Sequence, residues 1–118
     1  FAEKDKGSFL NNHRIRVSKR NNLEDCLIAT SGKMKQDYDF NSRKSGCAAL
    51  DLAYVACGRF DGYFQYNLSI WDIAAGLVIV SEAGGVINDI DIFNHKINKI
   101  IASSNNISSK FVQKLVNF

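Results

Sequence analysis

Ile70-Trp71-Asp72-Ile73-Ala74-Ala75-Gly76, closed by Glu82-Ala83-Gly84-Gly85, is the stretch from which the rest of the chain reads outward. Its apolar content predicts a helix with Asp72 in the first turn, running to about Ala83, and the glycine pair predicts its end. An acid at a helix start is favoured by the dipole and can cap free N–H groups. A second reading of Asp72 is a carboxylate held rigidly for a cation, because a large aromatic precedes it and small residues follow it. Glu82 interrupts the same helix near its end.

Upstream stands Gly46-Cys47-Ala48-Ala49-Leu50-Asp51-Leu52-Ala53-Tyr54-Val55-Ala56-Cys57-Gly58-Arg59-Phe60-Asp61-Gly62-Tyr63. Together with Trp71-Asp72-x-Ala74-Ala75-Gly76-x5-Glu82-Ala83-Gly84-Gly85, it resembles the C-terminal signature of the inositol monophosphatase family. Members are Mg²⁺-dependent, typically lithium-sensitive phosphatases of small phosphate monoesters. The resemblance continues weakly to both ends of the chain. It implies an α/β fold, the C-terminal layered half of the inositol monophosphatase-like sugar phosphatase, with helices on a mixed sheet and residues 1–118 as one domain.

The resemblance also assigns roles. Asp72 matches a metal ligand and is the catalytic and metal residue. Gly46, Cys47 and Ala48 match a loop whose backbone groups bind substrate, at a helix start where N–H donors are free. Gln65 falls where the family carries an acid that contacts substrate hydroxyls; an amide still bonds a hydroxyl but without charge assistance. Glu82 is expected to stabilise the scaffold. Phosphate ester hydrolysis needs charge offset and an activated water, which carboxylate-held Mg²⁺ supplies. Most of the family's ligands lie on an N-terminal Glu and an Asp-Pro-x-Asp-Gly motif. The chain contains no proline, so that motif is absent and Asp72 alone makes no Mg²⁺ site of useful affinity.

Composition sets the outer limits. The 118 residues suffice for a real core, and 46% hydrophobic with 23% charged residues are ordinary globular values. A net charge of +3 is too mild to argue nucleic-acid binding. The basic cluster over residues 14–20 reads as a solvated hairpin face. No apolar run approaches the roughly 18 residues of a membrane span, and no secretory leader is evident. Three cysteines without a Cys-x-x-Cys pair fit reduced thiols in a cytoplasm and offer no zinc signature. Cys47 at a helix start has two readings, a reactive thiol or a stand-in for a small hydroxyl residue, and the second is favoured for want of a nearby base.

In chain order, residues 1–17 read as a meander with turns at Lys4-Asp5-Lys6-Gly7 and Asn11-Asn12. Cys26-Leu27-Ile28-Ala29 reads as a strand buried on both faces. Residues 33–44 are polar and weakly periodic, and they are too few for the helix the family carries there. Residues 46–57 predict a buried helix with Ser45 as cap, Gly58 as stop and Asp51 pointing outward or pairing with a cation. Residues 59–65 predict a strand with Phe60, Gly62 and Phe64 on one face and Asp61, Tyr63 and Gln65 on the other. Residues 66–70 are expected to loop, with Ser69 as a cap. Strands are expected at 86–90 and 100–103. Asn105 or Asn106 is expected to cap a last helix striped by Ile107, Phe111, Leu115 and Phe118. Asp89 and Asp91 read as solvated acids at a strand end.

Two function classes follow. One is part of a phosphatase acting on a small phosphorylated substrate such as myo-inositol monophosphate, or on a nucleotide or sugar bisphosphate. The other is a non-catalytic fragment or interaction module, since bacterial relatives also work with transcription and RNA-processing machinery. The chain starts at Phe1, and its expected partner is a second copy or an N-terminal metal-binding segment.

Overall fold

The computed structural model describes residues 2–30, 41–44, 47–69, 71, 73–93 and 96–115; for residues 66–69, 88–93 and 96–98 it describes the backbone alone. Three short strands open the chain: β1 (Ala2–Glu3), β2 (Gly7–Leu10) and β3 (His13–Ile15), an antiparallel meander in that order. Five more strands form a second sheet: β4 (Leu27–Thr30), β5 (Asn41–Arg43), β6 (Gly62–Ser69), β7 (Val86–Phe93) and β8 (Lys96–Ser103). Their order is β5-β4-β6-β8-β7. β4 runs parallel to β5 and β6, while β8 is antiparallel to both β6 and β7, so the sheet is mixed as expected.

Three helices complete the fold: α1 (Ala48–Ala56), α2 (Ala74–Glu82) and α3 (Ser108–Lys114). The period of two along the strands decides which helix lies on which face. Ala29, Tyr63, Ile100 and Ala102 point to one side and pack with Leu52, Val55 and Ala56 of α1 and with Val80 and neighbouring residues of α2. Ile28, Phe64 and Ile101 point to the other side and pack with Ile107, Phe111 and Leu115. The rings of Phe64 and Phe111 meet edge to face at 6.2 Å. Two cores therefore share one sheet, and the expected division of β6 between Phe64 and Tyr63 faces is observed.

The meander closes the outer side of α2. The Gly7 N–H donates to Glu82 Oε1 at 2.9 Å, the Ser8 hydroxyl donates to the Ile79 carbonyl at 2.6 Å, and Val17 N–H donates to the Ala83 carbonyl at 3.0 Å. The layers run meander, helix pair, sheet, helix. Gly84, at φ +92°, supplies the left-handed turn that ends α2.

A buried acid fastens the sheet's entry. The Leu27 N–H donates to Asp61 Oδ2 at 2.8 Å and Arg20 Nη1 donates to Oδ1 at 3.2 Å. The Asp61 backbone exchanges bonds with Leu27 and Ser104. Burial, with the Asp61 charge next, pushes the neighbouring Cys26 thiol up to about 11.

Several elements differ from expectation. β6 runs through Ser69 where a loop was expected, because pairing with β8 down to Lys96 extends both strands. Ser69 is therefore strand, and Ile73 is the N-cap of α2. The strand opens at Gly62, since residues 57–61 turn and bend. β7 continues to Phe93 through Asp89 and Asp91, which lie within the strand. β5 gives residues 41–43 a regular structure that their polar composition hides. Asp51 is fully buried, not outward-facing. The last helix is preceded by a 3-10 turn over Asn105–Ile107 with Ser104 at its start, and Asn106 Nδ2 instead donates to the Lys19 carbonyl at 2.9 Å. The Ile107, Phe111 and Leu115 stripe is buried as expected; Phe118 and Ser45 lie outside the described residues.

Candidate functional site

The direction of three strands fixes where a site can form. β4 Ala29 pairs with Arg43 of β5 and with Tyr63 of β6, so the carboxyl ends of the parallel trio lie along one edge. α1 follows β5 and α2 follows β6, so both helices start from that edge. In open α/β sheets, ligands sit beyond the carboxyl ends of strands.

Four of the residues singled out by sequence, or their neighbours, stand at this edge. Cys47 is the exposed N-cap of α1, with extended backbone and no side-chain cap bond. Ala48, the first helical residue, is half-buried against the cluster that holds Tyr63 and Ile73. Gln65 is half-buried on β6, and its Oε1 accepts a hydrogen bond from the fully buried Tyr63 hydroxyl. Ile73, directly after Asp72 in the chain, is fully buried. The start of α1, the middle of β6 and the start of α2 are thus brought together. Asp72 and Gly46 lie outside the described residues. α2 itself opens at Ala74, with Ile73 as its N-cap.

Trp71 is 76% exposed. The indole itself is therefore largely in solvent. Glu82 sits at the far end of α2 from this edge. Its carboxylate is held below the ordinary value by the Gly7 N–H first, then by the Asp5 and Lys6 N–H groups and the Arg14 charge. This is a scaffold contact, in agreement with the sequence reading.

Tyr63 and Asp61 were not given roles by the sequence. A signal was present in the sequence: both are polar residues alternating with apolar ones in Asp61-Gly62-Tyr63-Phe64-Gln65, and a buried polar group requires a partner.

Among the described residues, no group of three or more His, Cys, Asp or Glu side chains is placed to hold a metal ion. The donors described here do not by themselves fit Mg²⁺, which takes several oxygen ligands in near-octahedral geometry. Among the described residues, no helix is long and apolar enough to cross a membrane.

This arrangement, a mixed sheet with two helices rising from the carboxyl edge of its parallel strands, is a layered α/β fold. The chain belongs to the inositol monophosphatase family, whose model matches residues 1–117. It is 47% identical over 105 residues to a putative Nus factor SuhB of Neisseria meningitidis, covering 76% of this chain and 40% of that protein. It is 35% identical over 134 residues to an inositol-1-monophosphatase of Caulobacter vibrioides, covering 98% of this chain and 52% of that protein. The latter alignment is longer than the 118-residue chain itself, so the relative carries residues without a counterpart here. The extragenic suppressor protein suhB of Bartonella henselae superposes with a TM-score of 0.84 at 42% identity, over 97% of this chain and 50% of that one. The Thermotoga maritima IMPase superposes with a TM-score of 0.84 at 35% identity, over 98% and 50%. The chain spans about half the length of the curated relatives it matches.

Proposed function

We propose that this chain is the C-terminal part of a Mg²⁺-dependent phosphatase of small phosphate monoesters such as myo-inositol monophosphate. The observation that carries this reading is the convergence of the α1 start, Gln65 and the α2 start at the carboxyl edge of the parallel strands. On this reading Gly46, Cys47 and Ala48 offer backbone donors to the substrate, Gln65 meets its substituents, and Asp72 supplies one metal ligand. The other ligands come from polypeptide outside the described residues, and Glu82 keeps α2 in place. Family membership supports phosphatase chemistry; the relatives named inositol-1-monophosphatase support the substrate class.

A chimera tests it. The 118 residues replace the matching half of the Caulobacter inositol-1-monophosphatase. Mg²⁺-dependent hydrolysis of myo-inositol 1-phosphate is expected, abolished by Asp72→Asn, while the chain alone shows no turnover. A folded chimera without activity, or full activity in Asp72→Asn, overturns the proposal.

A second reading has its own support, the 47% identity to a relative named as a putative Nus factor. There the chain serves as an interaction module in transcription or RNA processing. A folded, inactive chimera with Asp72 intact favours that reading.

A further inference from the structure

We propose that Ser8 is a positioning residue for the site, acting through α2: the meander grips the later part of this helix and so sets where its start stands at the carboxyl edge. This rests on the reading above that the starts of α1 and α2 flank the substrate. Ser8 lies on β2, and its fully buried hydroxyl donates to the Ile79 carbonyl at 2.6 Å. Two more contacts close on the same end of α2. The Gly7 N–H donates to Glu82 Oε1 at 2.9 Å, and the Val17 N–H donates to the Ala83 carbonyl at 3.0 Å. Gly85 lets the neighbours close in: a Cβ there would stand 3.1 Å from Val17 Cγ1 and 3.0 Å from the Ser103 carbonyl oxygen.

The Ser8 bond serves position more than the needs of a buried carbonyl. The Ile79 carbonyl already accepts the Ala83 N–H at 3.1 Å, and a carbonyl has two lone pairs. What the hydroxyl adds is a short tie between β2 and the helix. α2 has nine residues and is about 13 Å long. Near its start, Gly76 lies against Leu52 of α1 with no space for a Cβ. With α2 bearing on Leu52 there, a shift at the Ile79–Ala83 end tilts the helix and moves its start. Ile73, the N-cap, is fully buried in the cluster that also holds Leu52 and Tyr63, and Ala48 at the start of α1 packs against that cluster. Interiors of this density pass a displacement on instead of absorbing it. The ends of both helices at the carboxyl edge thus depend on a hydroxyl that reaches α2 well away from it.

The chain's one tryptophan reports on the start of α2, since Trp71 shortly precedes Ile73. In NMR of the 118-residue chain, Ser8→Ala is expected to move the single indole N–H signal. Val112→Ala is the control, because it trims the core on the opposite face of the sheet. It is expected to cost stability and leave that signal in place. In the chimera, Ser8→Ala is expected to lower kcat/KM for myo-inositol 1-phosphate by about tenfold, and Val112→Ala to leave it unchanged. An indole signal that stays put in Ser8→Ala, or moves equally in Val112→Ala, overturns the proposal. So does an active chimera whose kcat/KM is the same in Ser8→Ala. A chimera inactive before either substitution counts against the phosphatase reading alone, and the indole signal then decides the coupling. Should Ser8→Ala not fold, Glu82→Gln weakens the grip on the same end of α2 and carries both readouts with the same expectations.

Discussion

Glu82 places a negative charge in the last turn of α2, the end where the helix dipole disfavours it. The turn between β1 and β2 reverses that balance, because its backbone N–H groups converge on the carboxylate. Asp5 at φ +67° and Gly7 at φ +86° shape this turn. The folded state thus holds the Glu82 proton affinity below that of the unfolded chain. Its stabilisation is present above the ordinary carboxylate value of 4.5 and is lost as pH falls through the lower folded value. Glu82→Gln should unfold at lower urea than wild type at neutral pH, and the gap between the two should narrow in acid. Urea midpoints across that range check it; a gap independent of pH removes the carboxylate from the account. Asp61 works on the same scale by a different route, since two donors reach it in a site that excludes water.

At the scale of elements, α1 and α2 approach through a glycine. A Cβ on Gly76 would stand 2.7 Å from Leu52 Cδ1 and 3.0 Å from Leu52 Cβ. Alanine gains at most about 1 kcal/mol over glycine in helix propensity, and less in a first turn such as that of Gly76. Overpacking a dense interface costs about 1–3 kcal/mol. The near contact to Leu52 Cβ cannot be relieved by a rotamer change alone, so the clash wins. Gly76→Ala should lower stability in urea denaturation, and Leu52→Ala in the same chain should cost less than the sum of the two single changes. Additive costs would mean the helices have room to move apart.

Elements of this kind were legible to differing degrees. The buried strand β4 and the α3 stripe carry their pattern in one local run, Cys26-Leu27-Ile28-Ala29 and Ile107, Phe111, Leu115, and both were readable. β5 was not, because Asn41-Ser42-Arg43 becomes a strand only by pairing with β4. The second half of β6 was hidden for the same reason, as Tyr66 to Ser69 take their conformation from β8. The outward of the two readings of Asp51 failed because burial of a charge inside an apolar helix is a tertiary fact. In the candidate site, the roles given to the glycine loop and to Asp72 rest on local composition and on resemblance, and Gly46 and Asp72 lie outside the described residues. The Tyr63–Gln65 pair depended on side-chain geometry that spacing alone suggests but does not fix.

At the scale of the whole molecule, the helix pair is covered on one side by the five-stranded sheet and only in part by the meander on the other. Leu50 is 43% exposed and Val78 is 41% exposed on these two helices, with Trp71 ahead of α2. Apolar surface of this kind favours association. Sedimentation of the 118-residue chain should show self-association that grows with concentration, reduced in Leu50→Lys with Val78→Lys. A clean monomer at high concentration would count against this account of the helix layer.

The sheet's β5 border has an opposite character. It is three residues long, entirely polar and charged at Arg43, beside the apolar β4. A border this brief and hydrophilic gives an incoming strand few bonds and an unfavourable charge. Clusters of this chain that recruit through its helices should therefore stay finite on that side, with no template there for fibril growth.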